Sequence, residues 1–244
     1  MRKLNPQSYN SVLIITPTYR EKEPLTGLLP PDTIIRVCGI GRVNTASFLT
    51  EQIIIRRPNR VLLVGCAGAY AGSGLSIGDV AVAQSEFSAD EGVVDETGFQ
   101  SMEEIGMPVV KKQDVEYFNL FPVDETFADM LLECARSENL TAEKGKFITV
   151  SATSGTIQRA DIINQSIGAL CENMEGAAAA HICLKYDIPF AEIRGISNVA
   201  GQRKPFDLMG AMTAVGKVVR KFRNLGIGEL HTPSALRPPL SRGE

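Results

Sequence analysis

The chain has 244 residues, enough to bury a large core without disulfides or a structural metal. Lys and Arg number 25 against 28 Asp and Glu, and this net charge of −3 argues against a nucleic-acid binder, which carries a basic surplus or stripe. With 44% hydrophobic and 22% charged residues the composition is that of a globular protein, and no apolar run approaches the roughly 18 residues of a membrane helix.

The first apolar run, Val12-Leu13-Ile14-Ile15, is too short for the core of a signal peptide, so a soluble, cytoplasmic protein is expected. Residues 11–16, β-branched and closed by Pro17, predict a buried strand, and 33–38 a second one. The stretch between them, 16–24, reads as a loop. Gly39-Ile40-Gly41 leads into 43–55, which has helical spacing with Asn44 near its start and Pro58 closing it. Residues 60–66 form a third strand, continuous in apolar character as when helices cover both sheet faces. It opens into the small-residue segment Gly65–Gly74. Residues 79–83 predict a strand, and the acidic stretch 90–116, interrupted by Pro108, an irregular excursion with room for a short strand. Downstream, 125–139 reads as an amphipathic helix, 146–151 as a strand, 159–167 and 174–186 as helices, 189–196 as a buried strand and 208–225 as the closing helix. This alternation predicts an α/β fold, a three-layer αβα sandwich around a central mixed, mainly parallel sheet, forming one domain over residues 10–226. The tail, 227–244, contains Pro233, Pro238 and Pro239 and is expected to be disordered.

The five cysteines, Cys38, Cys66, Cys134, Cys171 and Cys183, are odd in number and never spaced C-x-x-C, which fits reduced thiols. The two histidines, His181 and His231, are too few for a His-rich metal site, and His181 sits in a small-residue helix where packing is its ordinary role. No metal is expected.

In open α/β sheets ligands gather at the carboxyl ends of strands, and the unusual residues fall there. Gly39-Ile40-Gly41-Arg42-Val43-Asn44 lacks the third glycine of a dinucleotide fingerprint, and a tight strand-to-helix turn explains it equally well. Gly65–Gly74 would let a ligand approach the backbone, whose N–H groups can contact a sugar or an anion; a flexible loop is the plainer alternative. Glu172-Asn173-Met174-Glu175-Gly176-Ala177 is the most informative stretch. A carboxylate at a helix start is favourable in itself, but with Met174 before it and a small-residue helix after it, Glu175 suits two vicinal hydroxyls while Met174 covers a sugar face. Glu192-Ile193-Arg194-Gly195-Ile196-Ser197-Asn198 ends a buried strand in polar residues, for which a solvated strand end is the plain explanation.

Taken in order over residues 11–225, these motifs resemble the nucleoside phosphorylase/nucleosidase superfamily. Within it, Glu172-Asn173-Met174-Glu175-Gly176-Ala177, the run Val150-Ser151-Ala152-Thr153-Ser154-Gly155-Thr156 and Ile196-Ser197-Asn198 are most similar to the futalosine hydrolase family of menaquinone biosynthesis. The resemblance implies hydrolysis of the N-glycosidic bond of a small-molecule nucleoside, giving hypoxanthine and dehypoxanthine futalosine, with no cofactor and in a homo-oligomer. It implies that Glu175 binds the ribose 2′ and 3′ hydroxyls, that Met174 lies against the ribose, and that Glu21, or else Glu23, activates the attacking water. Ala67 and Gly68 would line the sugar, and Thr156 and Ile157 the base. Asn198 stands where adenine-specific nucleosidases carry an aspartate; an amide has no proton to give up but can donate a hydrogen bond to O6 or N7 of a 6-oxopurine. The substrate carboxylate needs a cation, for which Arg203 and Arg159 are candidates. Phosphorylases of the superfamily place an arginine just before the third strand's glycine step, where this chain has Leu63; Arg42 is the remaining cation for an anion. The alternatives are a methylthioadenosine/S-adenosylhomocysteine or aminodeoxyfutalosine nucleosidase, and a non-catalytic nucleoside-binding protein.

Overall fold

Along the first strand, Ile14 packs on one side of the central sheet with Leu62 and Val64, whereas Leu13 and Ile15 pack on the other with Val61 and Leu63. Strands buried on both faces explain why their sequences read as unbroken apolar runs. The computed structural model describes residues 12–96 and 98–225; Ser11 and the tail 227–244 lie outside the described residues.

In chain order the elements are β1 (Val12–Thr16), α1 (Tyr19–Thr26), β2 (Ile35–Val37), α2 (Arg42–Arg56), β3 (Arg60–Ala69), β4 (Val80–Ser88), β5 (Gly92–Asp95), β6 (Gly98–Ser101), β7 (Val110–Lys112), β8 (Val115–Tyr117), β9 (Leu120–Pro122), α3 (Glu125–Ser137), β10 (Ala142–Thr149), α4 (Ile157–Asn164), β11 (Cys171–Asn173), α5 (Gly176–Lys185), β12 (Phe190–Val199) and α6 (Leu208–Asn224). The main sheet runs β11-β10-β4-β12-β3-β1-β2, with β9 on β4. Its pairings are parallel except β12–β4, β4–β9 and β11–β3. Helices α1, α3 and α6 cover one face through Leu25, Phe127, Leu131, Val215 and Phe222, and α2 and α5 cover the other through Leu49, Ile53, Ala180 and Cys183. This is the three-layer αβα sandwich around a mixed, mainly parallel sheet that the sequence predicts.

One closure shapes the site. β11 bonds parallel to β10 and antiparallel to β3, pairing Cys171 with Ala69 and Glu172 with Gly68. Strands β3, β12, β4, β10 and β11 therefore close on themselves, and the interior of this small barrel is filled by Ala67, Ala69, Ala81, Ala83, Phe147 and Ile196.

Several elements differ from the sequence expectation. Residues Tyr19–Thr26 are a helix where a loop was expected: Thr18 caps it by accepting from the Glu21 N–H at 3.1 Å, which outweighs the Pro24 inside it. β3 continues through the glycines to Ala69, because its end pairs with β12 on one side and β11 on the other. The helix expected from 174 starts at Gly176, after the short strand β11. The acidic excursion contains two hairpins, β5–β6 and β7–β8. Among the described residues no helix is long and apolar enough to cross a membrane.

β12 and α6 cross closely: a Cβ on Gly195 would fall on the backbone of Ala211, 2.8 Å from its Cα. We therefore expect Gly195→Ala to destabilise the protein by about 1–3 kcal/mol, as overpacking does. Urea unfolding would show a lower midpoint at unchanged slope; an unchanged midpoint would mean the two elements separate freely.

Candidate active site

The strand ends predicted to gather a ligand do meet, and a buried arginine joins them. Arg194, on β12, is 1% exposed and donates from Nε to Glu192 Oε1 at 2.6 Å, from Nη2 to Glu175 Oε2 at 3.2 Å and from Nη1 to the Cys66 carbonyl at 3.2 Å. Burial works against its charge, but Glu192, Glu175 and Glu21 together hold it firmly protonated.

Glu21 comes from the third residue of α1, and the same Thr18 that caps the helix donates its hydroxyl to Glu21 Oε2 at 2.7 Å. Glu21 Oε1 accepts the Cys66 N–H at 3.0 Å. Gly65 makes this approach feasible, since a Cβ there would lie 2.9 Å from Glu21 Oε1. Glu23, the other candidate, points to solvent; the structure brings Glu21, not Glu23, to the cluster.

Glu175 precedes α5 and is 3% exposed. Its Oε2 faces Arg194, and its Oε1 accepts the Gly41 N–H at 2.9 Å, at the start of α2. The Gly39-x-Gly41 pair is thus a tight turn with φ values of 92° and 85°, and it delivers a backbone donor to Glu175. Burial, the largest influence, raises the Glu175 carboxyl above its ordinary range, with Arg194 and the Gly41 bond opposing. The N–H groups at the start of α5 are already taken: Asn173 Oδ1 accepts those of Glu175 and Gly176, and Thr149 Oγ1 accepts that of Ala177. Met174, half-buried, lies between β11 and this helix start.

The sugar- and base-side residues follow. Ala67 and Gly68 are buried on β3, and Asn198 on β12 stands opposite Gly68, whose Cβ would come within 3.1 Å of Asn198 Nδ2. Asn198 accepts from Ser197 Oγ at 2.9 Å and donates to the carbonyls of Val199 at 3.0 Å and Gln202 at 3.3 Å. Thr156 caps α4, and it and Ile157 are exposed and lie against Gly201, three residues after Asn198. Glu172 fastens the loop before them, accepting from Ser154 N–H and Oγ, each at 2.7 Å, and from Tyr70 Oη at 3.2 Å. Arg203 is exposed, its Nη2 4.0 Å from where a Gly155 Cβ would stand. Arg159 is engaged with the Ala152 carbonyl at 3.1 Å.

Arg42, at the start of α2, is committed to other groups. It is paired with Asp90 and with Glu91 at 3.2 Å, and donates to the Thr149 carbonyl at 2.8 Å. Cys66 beside Glu21 is no thiolate, because burial and then the Glu21 charge push its thiol up to about 12. His181 stacks on Phe121 with ring centroids 5.1 Å apart, a packing role. Among the described residues no group of His, Cys, Asp and Glu is placed to hold a metal ion. All five cysteines are free thiols. Sequence reasoning missed Glu86 and explained Glu192 and Arg194 as a solvated strand end, whereas all three are buried.

The sequence pattern of the Phosphorylase superfamily matches residues 9–226. A futalosine hydrolase of Thermus thermophilus is 32% identical over 222 residues, 86% of this chain and 94% of that one. A 5′-methylthioadenosine/S-adenosylhomocysteine nucleosidase of Oceanobacillus iheyensis is 28% identical over 187 residues, 75% of this chain and 76% of that one. The solved structure of the Helicobacter pylori futalosine hydrolase superposes with a TM-score of 0.72 at 18% identity, covering 88% of this chain and 97% of that one.

Removing Arg194 would leave Glu192, Glu175 and Glu21 buried without their cation. Arg194→Met is expected to destabilise the protein by about 3–5 kcal/mol at neutral pH. Glu175 already titrates above its unfolded value, and losing Arg194 raises it further; stability from such a group is full below the unfolded pKa and lost as pH rises through the folded one. The deficit should therefore shrink towards pH 4 in denaturant titrations across pH; a variant as stable as the parent at pH 7 would show that the cluster is not held by this charge.

Proposed function

The chain belongs to the Phosphorylase superfamily, and from that premise we propose that it is a purine-nucleoside N-ribohydrolase whose substrate is futalosine. The observation that carries this function is the convergence of two buried carboxylates, Glu21 and Glu175, on either side of Arg194 beside the small-residue strand end at Ala67 and Gly68. Breaking the bond between C1′ and the purine sends its electron pair to the base and leaves an oxocarbenium-like sugar. Acidic groups in a dry site stabilise such a cation better than water does. In this scheme Glu175 accepts hydrogen bonds from the 2′ and 3′ hydroxyls and Met174 covers the ribose. Glu21 takes the proton of the water that adds to C1′. The departing base picks up a proton as hypoxanthine, and the sugar product is dehypoxanthine futalosine.

Water rather than phosphate is the nucleophile because the candidate anion holder, Arg42, is neutralised by Asp90 and Glu91. Leu63, where a phosphorylase would place a cation, is wholly buried among apolar side chains. Futalosine over methylthioadenosine rests on the likeness to the Thermus enzyme and on Asn198, an uncharged amide. Recognition of O6 or N7 exchanges one of its two backbone bonds, to Val199 or Gln202, for a bond to the base. Arg203, exposed above Gly155, is the cation we assign to the substrate carboxylate. Ile40 and Val43, 54% and 82% exposed beside the Gly41–Glu175 contact, support a homo-oligomer that covers this rim.

Purified protein incubated with futalosine, inosine, methylthioadenosine and aminodeoxyfutalosine, with and without phosphate, should release hypoxanthine from futalosine regardless of phosphate. Preferential adenine release would favour the methylthioadenosine reading, to which the 28% identical nucleosidase points; release of no base at all would favour a non-catalytic binder. Glu21→Gln should lower kcat about 10²–10⁴-fold with the circular dichroism unchanged. Because Glu175 must be ionised to accept both hydroxyls, activity should fall on the acid side at a pH above the ordinary glutamate range. Asn198→Asp should widen acceptance towards adenine nucleosides; an unchanged base preference would place selectivity elsewhere.

A further inference from the structure

Beneath the start of α5, two carboxyl groups meet with no hydrogen from any other group between them. A Cβ on Gly176 would fall between Glu86, from β4, and Glu192, from β12, so an oxygen of each faces the same point. Both residues are 0% exposed. Glu192 uses Oε1 for Arg194 Nε, while its Oε2 has no other partner among the described residues. Glu86 accepts from Asn173 Nδ2 on Oε1 at 2.8 Å and from Thr149 Oγ1 on Oε2 at 2.7 Å. Two ionised carboxylates in that contact would repel in a medium that water cannot screen.

We propose that Glu86 and Glu192 share a single proton, carried by Glu86 and donated to Glu192 Oε2, and that the pair is the device that positions Arg194 between Glu175 and Glu21. Glu192 remains the anion that anchors Nε, and the neutral Glu86 anchors Glu192. Glu192 and Arg194 face Glu86 from β12 and Cys171 from β11; the Arg194 charge and the Thr149 hydroxyl favour an ionised Glu86, and burial with the Glu192 charge outweighs them. Burial and then the Glu192 charge raise the Glu86 carboxyl far above its ordinary range. Gly176 is required because any side chain there would occupy the contact. Glu86 and Glu192 are thus positioning residues that act through Arg194; their catalytic effect, though not their shared proton, rests on the hydrolase function proposed above.

A shared proton has a signature that a purely structural pair lacks. In either isosteric variant, Glu86→Gln or Glu192→Gln, the new amide donates to the remaining carboxylate and no acid proton is needed. Infrared difference spectra at neutral pH should therefore show a carboxylic-acid carbonyl band in the wild type that is missing from both single variants. A band that persists in both, or that the wild type lacks, overturns the proposal. In turnover the two variants should diverge. Glu86→Gln keeps a neutral donor towards Glu192 but gives up the acceptor for Asn173 Nδ2, so it should lower kcat by less than about tenfold and by less than Glu192→Gln does, whereas Glu86→Ala, which leaves Glu192 Oε2 without a partner, should lower it further. Glu192→Gln removes the anion from Arg194 Nε and should lower kcat roughly 10–100-fold; equal effects of the two Gln variants would overturn the positioning role. If Glu192→Gln does not fold, Glu192→Asp takes its place: it keeps the charge but shortens the reach to Arg194, so kcat should fall while the acid band remains. Should the wild type cleave no nucleoside, the proposed function fails, and the infrared comparison still decides the shared proton.

Discussion

The buried guanidinium of Arg194 is the interaction on which the rest of the site depends. One cation is surrounded by Glu21, Glu175 and Glu192, and each takes a different position from it. Such a cluster is expensive to bury, and a hydrophobic replacement of similar shape is often as stable or more so. Its retention points to chemistry rather than stability. The carboxylates outnumber the cation, so the site is short of positive charge, and in the reaction we propose a sugar that acquires positive charge as its bond to the base breaks would supply it.

The fold brings these groups together from distant parts of the chain. Glu21 arrives on α1, Gly41 at the start of α2, Glu86 on β4, Glu175 before α5 and Arg194 on β12. The antiparallel pairing of β11 with β3 closes the barrel and sets Glu172 against Gly68, so the segment carrying Glu175 is fixed to the strand that carries Cys66 and Ala67. Small residues are obligatory at these junctions: at Gly65 for Glu21, at Gly176 for the two facing glutamates and at Gly195 for α6.

Much of this was legible in the sequence. The apolar runs marked the strands, and the motif around Glu175 marked the candidate site, because a carboxylate between a methionine and a run of alanines is an unusual helix start. The helix holding Glu21 was obscured by Pro24, although Thr18 and Glu21 stand at the spacing of a capping pair. Glu192 and Arg194 resembled a solvated strand end. Their spacing of two residues puts them on one face of a strand whose apolar neighbours place both faces in the core, and that combination signals a buried ion pair. Glu86 lay beyond the predicted end of its strand, and its partner Glu192 is 106 residues away, so nothing local could reveal it.

The nucleophile follows from the same accounting of donors. A phosphate would need helix N-termini, a free arginine or both. The start of α5 is saturated by Asn173 and Thr149, and the first N–H of the α2 turn is given to Glu175. Arg42, the cation nearest that turn in sequence, is committed to Asp90, Glu91 and the Thr149 carbonyl, while Arg194 already faces the buried glutamates. An incoming dianion would have to displace an amide and a hydroxyl oxygen at the start of α5, and protein carboxylates at Gly41, Arg42 and Arg194. A water molecule displaces none of them: it needs only an acceptor for its proton, and Glu21, the acceptor we propose, is held by a hydroxyl and one backbone N–H and retains lone pairs.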